Sequence, residues 1–350
     1  MASIGNIAVV PENFPDCTAN RAVGILIPKD IEQLEANYLL ALFGSNFGIN
    51  LLEKLTRGGI QKRINLGDIE KLKIPLPPLE VQRSLVAEIE AARQTRQQKL
   101  AQADKLLSSL DVYLLEQLGL SKPEESDKKV FAISLKQVGS DKRIDADYFH
   151  PERILAIREQ KTRMGLRSER LAKIANFIRD TFPAADSEGY IGLANLQSNT
   201  GELVESGDKE AEGQSFIFLE NDVLFARLRP YLNKVYRAER SGICSTEFHV
   251  IRIKPSSEKD ILPDYLSTIL RSSLILAQTK HMMTGNTHPR LTNEDVVNLV
   301  VPIPHPEIQE RLVAEIKRRR LEARRLRQEA ETEWETAKTR FEHKLLGEEA

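Results

Sequence analysis

A stretch near the N-terminus of the chain recurs near its C-terminus at a constant spacing of 227 residues. Residues 74–89 read IPLPPLEVQRSLVAEI and residues 301–316 read VPIPHPEIQERLVAEI, with nine of 16 positions identical. The register continues upstream without a gap. Over residues 58–89, 13 of 32 positions match, where unrelated sequences would share roughly two. The chain therefore contains two copies of one unit, a domain followed by a helix, which suits a bipartite target or a two-fold symmetric partner.

Two long segments follow the repeated proline-rich motif, residues 80–118 and 307–345, and both lack Gly and Pro. Apolar residues recur in them at spacings of three, four and seven, which predicts helices of about 39 residues and about 58 Å. Gly119 and Gly347 are placed to end them. A long helix with one narrow apolar stripe needs a partner. The simplest partner is the other helix, in a coiled coil, and the alternative is packing on its own globular domain.

The region between the helices alternates strand-like runs with turn signals, at 190–196, 215–219, 222–228 and 248–253. One helix is predicted from Pro263 to about Lys280, so the region is α+β. At the offset of 227, Met1 corresponds to Leu228, and no residue of the first copy corresponds to 141–227. We therefore expect the first domain to be incomplete, and its apolar strand residues to lack partners.

Charge and motifs exclude several classes of function. With 50 basic and 51 acidic residues, any nucleic-acid surface must be local. Cys17 and Cys244 are repeat-related and are expected to be small buried residues rather than a disulfide. Neither a membrane span nor a signal peptide is recognisable, so the cytoplasm is the expected location. Phosphate-loop, dinucleotide and hydrolase motifs are missing. The six histidines have no ligand spacing, so we predict no catalytic residue, metal or cofactor.

Polar and basic residues instead concentrate in two loops of the second copy. One follows a strand-like run at 222–228, and the other is a Gly- and Pro-containing segment that recurs in the first copy at 56–63. Arg and Lys suit phosphate and guanine, and Asn and Gln suit adenine, although such residues are also common on solvated surfaces. The candidate DNA-contacting residues are Arg227, Arg229, Asn233, Lys234, Lys280, His281, Thr284, Asn286, Thr287, His288 and Arg290, with Arg57, Gln61, Lys62 and Arg63 in the first copy. The basic run at 317–327 is flanked by acidic residues and favours a salt-bridged helix face.

The chain resembles the DNA-specificity (S) subunit of type I restriction–modification systems. The resemblance rests on the two proline-rich motifs, on DVLFARLRPYLNKV at 222–235, on CSTEFHVIRIKP at 244–255 and on GNTHPRLTNEDV at 285–296. It implies two target-recognition domains separated by two long helices that form an antiparallel coiled coil. Each domain reads one half of a split double-stranded DNA sequence, while methyltransferase subunits, and in some complexes a translocase–nuclease subunit, bind the S subunit. It also implies that the S subunit is not an enzyme and carries no cofactor.

The resemblance divides the chain into a partial first target-recognition domain (1–75), a first spacer helix (76–120), a linker (121–140), a second target-recognition domain (141–303) and a second spacer helix (304–347). The residues expected in the coiled coil and the methyltransferase contact are Gln82, Leu85, Ile89, Leu107, Leu114, Gln309, Leu312, Ile316, Trp334 and Phe341. The incomplete first domain leaves an alternative function open. The chain would then be an assembly protein or half-subunit that binds methyltransferase or another half-subunit without reading DNA.

Overall fold

A computed structural model describes residues 6–11, 13–15, 18–20, 23–58, 63–126, 128–141, 143–183, 189–204, 213–283 and 289–347. The chain divides into two compact units. Unit 1 comprises residues 1–106 and 321–350, and unit 2 comprises residues 107–320. Within the described residues, no helix is both long and apolar enough to cross a membrane.

The helices of the described chain are numbered in order. They are α1 (Ala36–Gly44), α2 (Asn46–Lys54), α3 (Leu66–Ile69), α4 (Leu79–Gln117), α5 (Leu135–Asp141), α6 (Pro151–Thr162), α7 (Leu171–Ile174), α8 (Pro263–Leu270), α9 (Ser273–Thr279), α10 (Asn293–Val297) and α11 (Pro306–Leu346). The two long helices, α4 and α11, begin and end within one residue of the predicted bounds.

The strands described all belong to unit 2. They are β1 (Arg167–Arg170), β2 (Ala175–Ile178), β3 (Thr181–Pro183), β4 (Tyr190–Ile191), β5 (Gln214–Phe218), β6 (Val223–Ala226), β7 (Val235–Arg237), β8 (Gly242–Ser245), β9 (Phe248–Ile253) and β10 (Val300–Ile303). They form a pair β1-β10 and two four-stranded sheets, ordered β2-β9-β6-β7 and β3-β5-β8-β4. Mixed helices and sheets confirm the α+β class.

The sheet β2-β9-β6-β7 is buried on both faces. Val223 and Phe225 of β6 join a core with the helices of unit 2, whereas Leu224 and Ala226 join a second core with the other sheet. Alternate side chains of a strand point to opposite faces, so burial on both faces removes the polar–apolar alternation. Cys244 lies fully buried in the second core, as expected for one of the two cysteines, while Cys17 lies outside the described residues.

Two predicted elements differ from the structure. The single helix expected from Pro263 to Lys280 is two helices, α8 and α9, with Ser272 in an extended conformation between them. The Ser272 hydroxyl donates to the carbonyl of Ile269 at 2.6 Å, which satisfies the end of α8 without Gly or Pro. The run at 190–196 forms only the two-residue strand β4 and then a short 3₁₀ turn at Leu193–Asn195.

The repeat is visible at atomic detail in the first turn of each long helix. In α4, the fully buried amide of Gln82 donates to the carbonyls of Gln33 and Pro77 at 2.7 and 2.8 Å. It also accepts from the amide N–H of Glu35 at 3.1 Å. Because this side chain satisfies three backbone groups at once, it ties the start of α4 to the segment that enters α1.

Gln309 of α11 makes the equivalent contacts 227 residues later. Its amide donates to the carbonyls of Asp260 and Pro304 at 2.6 and 2.8 Å and accepts from the N–H of Leu262 at 2.9 Å. Further equivalent pairs support the same relation. Tyr38 donates to the carbonyl of Pro75, and Tyr265 donates to that of Pro302. The same set of contacts therefore joins the long helix to the domain in each of the two copies, and we call this set the helix–domain joint.

The long helices run antiparallel. In unit 1, Arg96 contacts Glu331 at 3.1 Å, Lys99 contacts Glu329 and Glu333 at 3.0 and 2.6 Å, and residues further along α4 contact earlier residues of α11. Asp104 and Arg327 form a further such pair in unit 1, at 2.8 Å. In unit 2, Arg319 donates to Ser109 and lies over the ring of Tyr113.

Both proposed modes of helix burial occur together. In unit 1, Leu85 and Ile89 of α4 and Phe341 of α11 pack with Tyr38 and Leu42 of the first domain. In unit 2, the other ends of the two helices contribute to the larger core of that unit, through Leu114, Leu115, Leu312 and Ile316. The helices therefore contact each other and also pack on globular domains.

The basic run near the middle of α11 is a salt-bridged face, as predicted. Arg318 and Arg319 contact Glu315, and together they lower the pKa of that carboxyl to about 2. In unit 1, Arg325 pairs with Glu322 and Glu329. Because local carboxylates neutralise these guanidinium groups, the run is a weak candidate for phosphate binding.

We predict that Gln309→Ala lowers the free energy of unfolding by about 3 kcal/mol, because it leaves three buried backbone groups unpaired. Gln82→Ala should have a similar effect in unit 1. Gln328→Ala is the matched control, since Gln328 is an exposed residue of α11. Thermal unfolding followed by circular dichroism measures the change, and equal stability of the Gln309 and Gln328 variants would contradict the proposed role of the joint.

Candidate nucleic-acid interface

Three arginines meet where β6 ends. The N–H of Arg227 donates to the carbonyl of Glu247 at 2.9 Å, and the carbonyl of Arg227 accepts from Leu291 at 3.0 Å. Leu228 forms an isolated antiparallel bridge with Arg290, and the N–H of Arg229 donates to Pro289 at 2.8 Å. These backbone bonds join the two predicted DNA-contacting loops, so that Arg227, Arg229 and Arg290 lie on adjacent segments.

The turn after β6 has an unusual backbone. Arg229 and Asn233 adopt left-handed conformations, with φ of 48° and 51°, on either side of the 3₁₀ turn Pro230–Leu232. Such a conformation is uncommon for residues other than glycine and persists where the surroundings hold it. Arg229 and the neighbouring Tyr231, which is 53% exposed, face solvent from this turn. A charged group and an aromatic ring are thereby presented on a fixed backbone.

Asn233 and Lys234 hold this turn from inside. The buried side chain of Asn233 donates to the carbonyl of Arg271 at 2.7 Å, and the Arg271 guanidinium donates to the carbonyl of Val235 at 2.8 Å. The ammonium group of Lys234 donates to the carbonyl of Leu193 at 2.7 Å, and burial lowers the pKa of this lysine. In this conformation both predicted contact residues are engaged within the domain rather than presented to a ligand.

Arg290 is half-exposed and forms an ion pair with Glu247. Its guanidinium donates to both carboxylate oxygens of Glu247, with a shortest distance of 2.8 Å. The hydrogen bond from Arg290 lowers the pKa of the Glu247 carboxyl, and burial raises it. The charges of Arg290 and Arg227 lower it further, so the net shift is downward. The pair fixes the direction of Arg290, and binding to a phosphate would require the guanidinium to share or exchange this partner.

A cavity of about 470 Å³ adjoins Arg227 at the same end of the sheet. Its walls include Phe177, Arg179, Phe216 and His249, and no carboxylate is among its described lining residues. Burial first, and then the charge of Arg227, lower the pKa of His249 to about 4, so this imidazole is neutral at physiological pH. Among the described lining residues, the positive charge of the cavity therefore comes from Arg179 and Arg227.

Lys280 and His281 belong to a different cluster. Lys280 lies 3.5 Å from the carboxylate of Glu152 and 3.4 Å from that of Glu125. His281 lies 2.8 Å from the Glu152 carboxylate and stacks on the ring of His150. These two candidates are thus held by α6 and the linker, at the start of the segment that leads to residue 289.

Several candidates lie outside the described residues, namely Thr284, Asn286, Thr287 and His288 in the second copy and Gln61 and Lys62 in the first. The flanking Arg57 and Arg63 form an isolated antiparallel bridge, which closes the loop of the first copy. Arg57 also contacts Asp68 at 3.1 Å with most of its side chain exposed.

The predicted coiled-coil and methyltransferase residues are mostly buried within the chain. Leu107 and Trp334 are half-buried, and the remainder are at most 4% exposed: Gln82, Leu85, Ile89, Leu114, Gln309, Leu312, Ile316 and Phe341. These side chains therefore pack within their own units, and their contact with methyltransferase stays a prediction.

Sequence reasoning did not single out Arg179, Glu247 or His249 as neighbours of the arginines. Arg179 follows β2, Glu247 precedes β9 and His249 lies within it. The strands bring them together, because β9 lies between β2 and β6 in the sheet. Recognising β6 and β9 as adjacent antiparallel strands would have placed Glu247 beside Arg227, and the mixed composition of the run CSTEFHVIRI gave no direct signal.

Comparison with known families decides the membership of the chain. The family described as type I restriction modification DNA specificity domain matches residues 1–102 and 189–321, which include both copies of the repeat. The chain belongs to this family. No curated protein sequence gives a significant match.

Of three similar solved structures, one has a TM-score above 0.5 and supports the fold. This structure comes from work on complex assembly and conformational transition of the type I R-M system. It is 18% identical to this chain, with a TM-score of 0.54, and the match covers 91% of this chain and 73% of that chain. The HsdS subunit from Thermoanaerobacter tengcongensis is 18% identical, with a TM-score of 0.43 and coverage of 91% and 72%. The type I S subunit from M. genitalium is 12% identical, with a TM-score of 0.46 and coverage of 91% and 74%.

We predict that Asn233→Ala destabilises the second domain by about 2 kcal/mol. The alanine loses the hydrogen bond to Arg271 and must adopt a left-handed conformation. Asn233→Gly loses only the hydrogen bond and should cost about half as much. Asn199→Gly, at an exposed left-handed residue with φ of 65°, is the control and should be nearly neutral. Chemical denaturation measures these changes, and an Asn233→Ala variant as stable as the control would show that the amide does not hold the turn.

Proposed function

We propose that this chain is a non-catalytic DNA-specificity subunit of a type I restriction–modification complex, and that its second domain reads duplex DNA. One observation carries the proposal. Arg229 is exposed on a turn held by the buried Asn233–Arg271 contact, and backbone hydrogen bonds join this turn to the segment of Arg290. A cation on a rigid loop beside further cations is what a DNA-reading edge requires.

The roles proposed for the arginines follow from their surroundings. Arg229 extends from an exposed turn and suits a phosphate or a guanine edge, while the exposed ring of Tyr231 beside it suits a sugar or base. The ion pair with Glu247 fixes the direction of the Arg290 side chain. We propose that Arg290, oriented in this way, contacts a guanine or a phosphate. We propose that Asn233 and Lys234 position the turn, that Asn286 and His288 contact bases, and that Thr284 and Thr287 belong to the same DNA-binding loop.

We propose boundaries of 1–75 and 141–303 for the two target-recognition regions, with residues 76–120 and 304–347 as spacer helices. The first region keeps Arg57 and Arg63 beside its repeated loop, and the second carries the arginine edge. Two related regions joined by paired helices suit two half-sites at a set separation. We therefore propose that helix length sets the distance between the half-sites.

We further propose that the long helices bind methyltransferase subunits, and that a translocase–nuclease subunit joins that complex in the cytoplasm. The buried residues of the helices are engaged within the chain, so the proposed contact uses exposed apolar side chains instead. Val81, Val112 and Leu321 are such residues, at 43, 47 and 62% exposed. A partner that covered these side chains would remove apolar surface from water, which stabilises a complex.

A second function, as an assembly protein without DNA reading, is favoured by the engagement of several predicted contact residues inside the domain. Lys234, Asn233 and Arg290 all have protein partners. Binding of duplex DNA by the purified chain separates the two functions. If the chain is only an assembly protein, replacing Arg229 should change its DNA affinity no more than replacing any other surface residue.

We predict that Arg229→Ala weakens binding of the full chain to duplex DNA. If Arg229 contacts phosphate, affinity falls for all sequences and the slope of log K against log salt decreases by about 0.9. If it contacts a base, discrimination at one position falls by about 1–3 kcal/mol. Arg240→Ala removes the same charge from an exposed residue of the same domain and serves as control. Fluorescence anisotropy with a random-sequence duplex, and selection from that pool, measure both effects.

Equal binding by the Arg229 and Arg240 variants would contradict the proposed edge. No binding of any duplex by the folded chain at low salt would contradict the DNA-reading function itself and would favour the assembly function.

We predict that a type I methyltransferase subunit co-purifies with the chain and that Val112→Asp reduces the yield of the complex, because a charge replaces an exposed apolar contact on α4. Val130→Asp is the matched control, since Val130 is 89% exposed outside the helices. Methyl transfer to DNA should require the complex. Transfer by the chain alone, after removal of all methyltransferase, would refute the non-catalytic assignment.

A further inference from the structure

Among the described residues, the cluster that holds His281 is a group of His and Glu side chains compact enough to hold a metal ion. His150 precedes α6, Glu152 lies in its first turn, and His281 follows α9. Their side chains bring two imidazoles and one carboxylate together, with potential ligand atoms all within 4.8 Å of one another. Residues 131 positions apart in sequence are thus assembled by the fold, which is why the spacing of the histidines along the chain gave no sign of it.

The surroundings of the cluster are enclosed. Glu152 and His150 are 4% and 9% exposed, and Phe131 packs edge-on against the ring of His150. The Glu152 carboxylate is 2.8 Å from Nε2 of His281 and 3.5 Å from the ammonium group of Lys280. A buried carboxylate of this kind needs a positive partner. Lys280 has a second carboxylate within reach, that of Glu125 at 3.4 Å, so it is not confined to Glu152.

The donor set determines which cations suit the cluster. Imidazole nitrogens favour zinc and neighbouring transition-metal ions, whereas magnesium and calcium favour sites made of oxygen ligands. Two histidines and one carboxylate, with a water in the fourth position, form a recurrent tetrahedral zinc arrangement. The cluster supplies these three protein ligands and no thiolate.

We propose that His150, Glu152 and His281 bind one Zn²⁺ or similar transition-metal ion, which fastens the start of the 281–290 segment to the N-terminal end of α6. This proposal is separate from DNA reading and does not depend on it. The ion takes the position between Nε2 of His281 and the Glu152 carboxylate, and the neutral imidazole of His281 then carries its one hydrogen on Nδ1. Lys280 then pairs with Glu125 instead of Glu152.

Binding requires a small rearrangement of the rings. The His150 and His281 rings are stacked, with centroids 3.4 Å apart and planes at 21°. An ion about 2.0–2.1 Å from one nitrogen of each ring needs the nitrogens to converge. Tetrahedral ligands at that distance place the two ring centroids about 5 Å apart, so the rings must separate by roughly 2 Å from their 3.4 Å spacing. Opening the stacked pair moves His281, which lies at the start of the segment that leads to Arg290.

The test uses the full chain, stripped of metal with a chelator and titrated with Zn²⁺ in competition with a chromophoric chelator. We expect one equivalent to bind to the wild-type chain and the affinity to fall at least tenfold in His281→Phe. Phenylalanine preserves a ring for stacking on His150 and removes the ligand nitrogen. Glu152→Gln provides an independent second variant. His305→Gln is the control, because His305 is 68% exposed and 3.8 Å from Glu307.

A second readout separates a metal ligand from a purely structural histidine. Co²⁺ bound by the wild-type chain should show visible absorption typical of four- or five-coordinate sites, and His281→Phe should lose it while keeping the wild-type circular dichroism spectrum. Zn²⁺ should raise the melting temperature of the wild-type chain and not that of the variant. Equal Zn²⁺ affinity in the His281 and His305 variants, or no bound equivalent in the wild-type chain, would overturn the proposal, whatever the outcome of DNA binding.

Discussion

The buried glutamine at the start of each long helix is the contact on which the arrangement of the chain depends. Gln82 and Gln309 each satisfy three backbone groups, one in the proline-rich motif and two in the segment before α1 or α8, respectively. Buried backbone groups without partners are costly, so this amide sets the direction in which the helix leaves the domain. The identity of both glutamines in the repeat thus has a physical reason. Leucine at the same position would fill the space and leave three groups unpaired.

The ends of the long helices are buried in domain cores, whereas their central parts contact each other through ion pairs. Apolar residues at the ends, such as Leu85 in unit 1 and Leu312 in unit 2, are buried in domain cores and supply most of the stabilisation. The central contacts are partly exposed ion pairs such as Lys99–Glu329, which contribute little free energy individually but favour one register and direction. In both units, carboxylates of the long helices also accept hydrogen bonds from backbone N–H groups of the domains. Glu342 accepts from the N–H of Phe47, and Asp111 accepts from that of Ser273.

Sequence periodicity predicted the elements whose burial follows a simple local rule. The long helices were predicted to within a residue because their apolar stripe is narrow and the flanking Pro and Gly limit them. The break at Ser272 was not predicted, because a serine that hydrogen-bonds the preceding turn resembles an ordinary helical residue until its backbone is seen. The strand β6 was predicted from its apolar composition. Because both of its faces are buried, its sequence has no polar–apolar alternation that would indicate which strand pairs with it. The pairing of β6 with β9 is a long-range property that no local pattern encodes.

The same limit applies to the candidate sites, and the two copies show why. Val250 and Ile253 of β9 are 1% and 8% exposed, whereas their counterparts in the first copy, Val23 and Leu26, are 59% and 43% exposed. Similar residues at equivalent repeat positions therefore have opposite burial, because burial depends on the strands that pack against them. Residue type alone placed Asn233 among the predicted base contacts, whereas the fold supplies it with a partner within the domain, the carbonyl of Arg271. A residue acquires its role from the partners that the fold brings to it, and those partners are often more than 30 residues away in the chain.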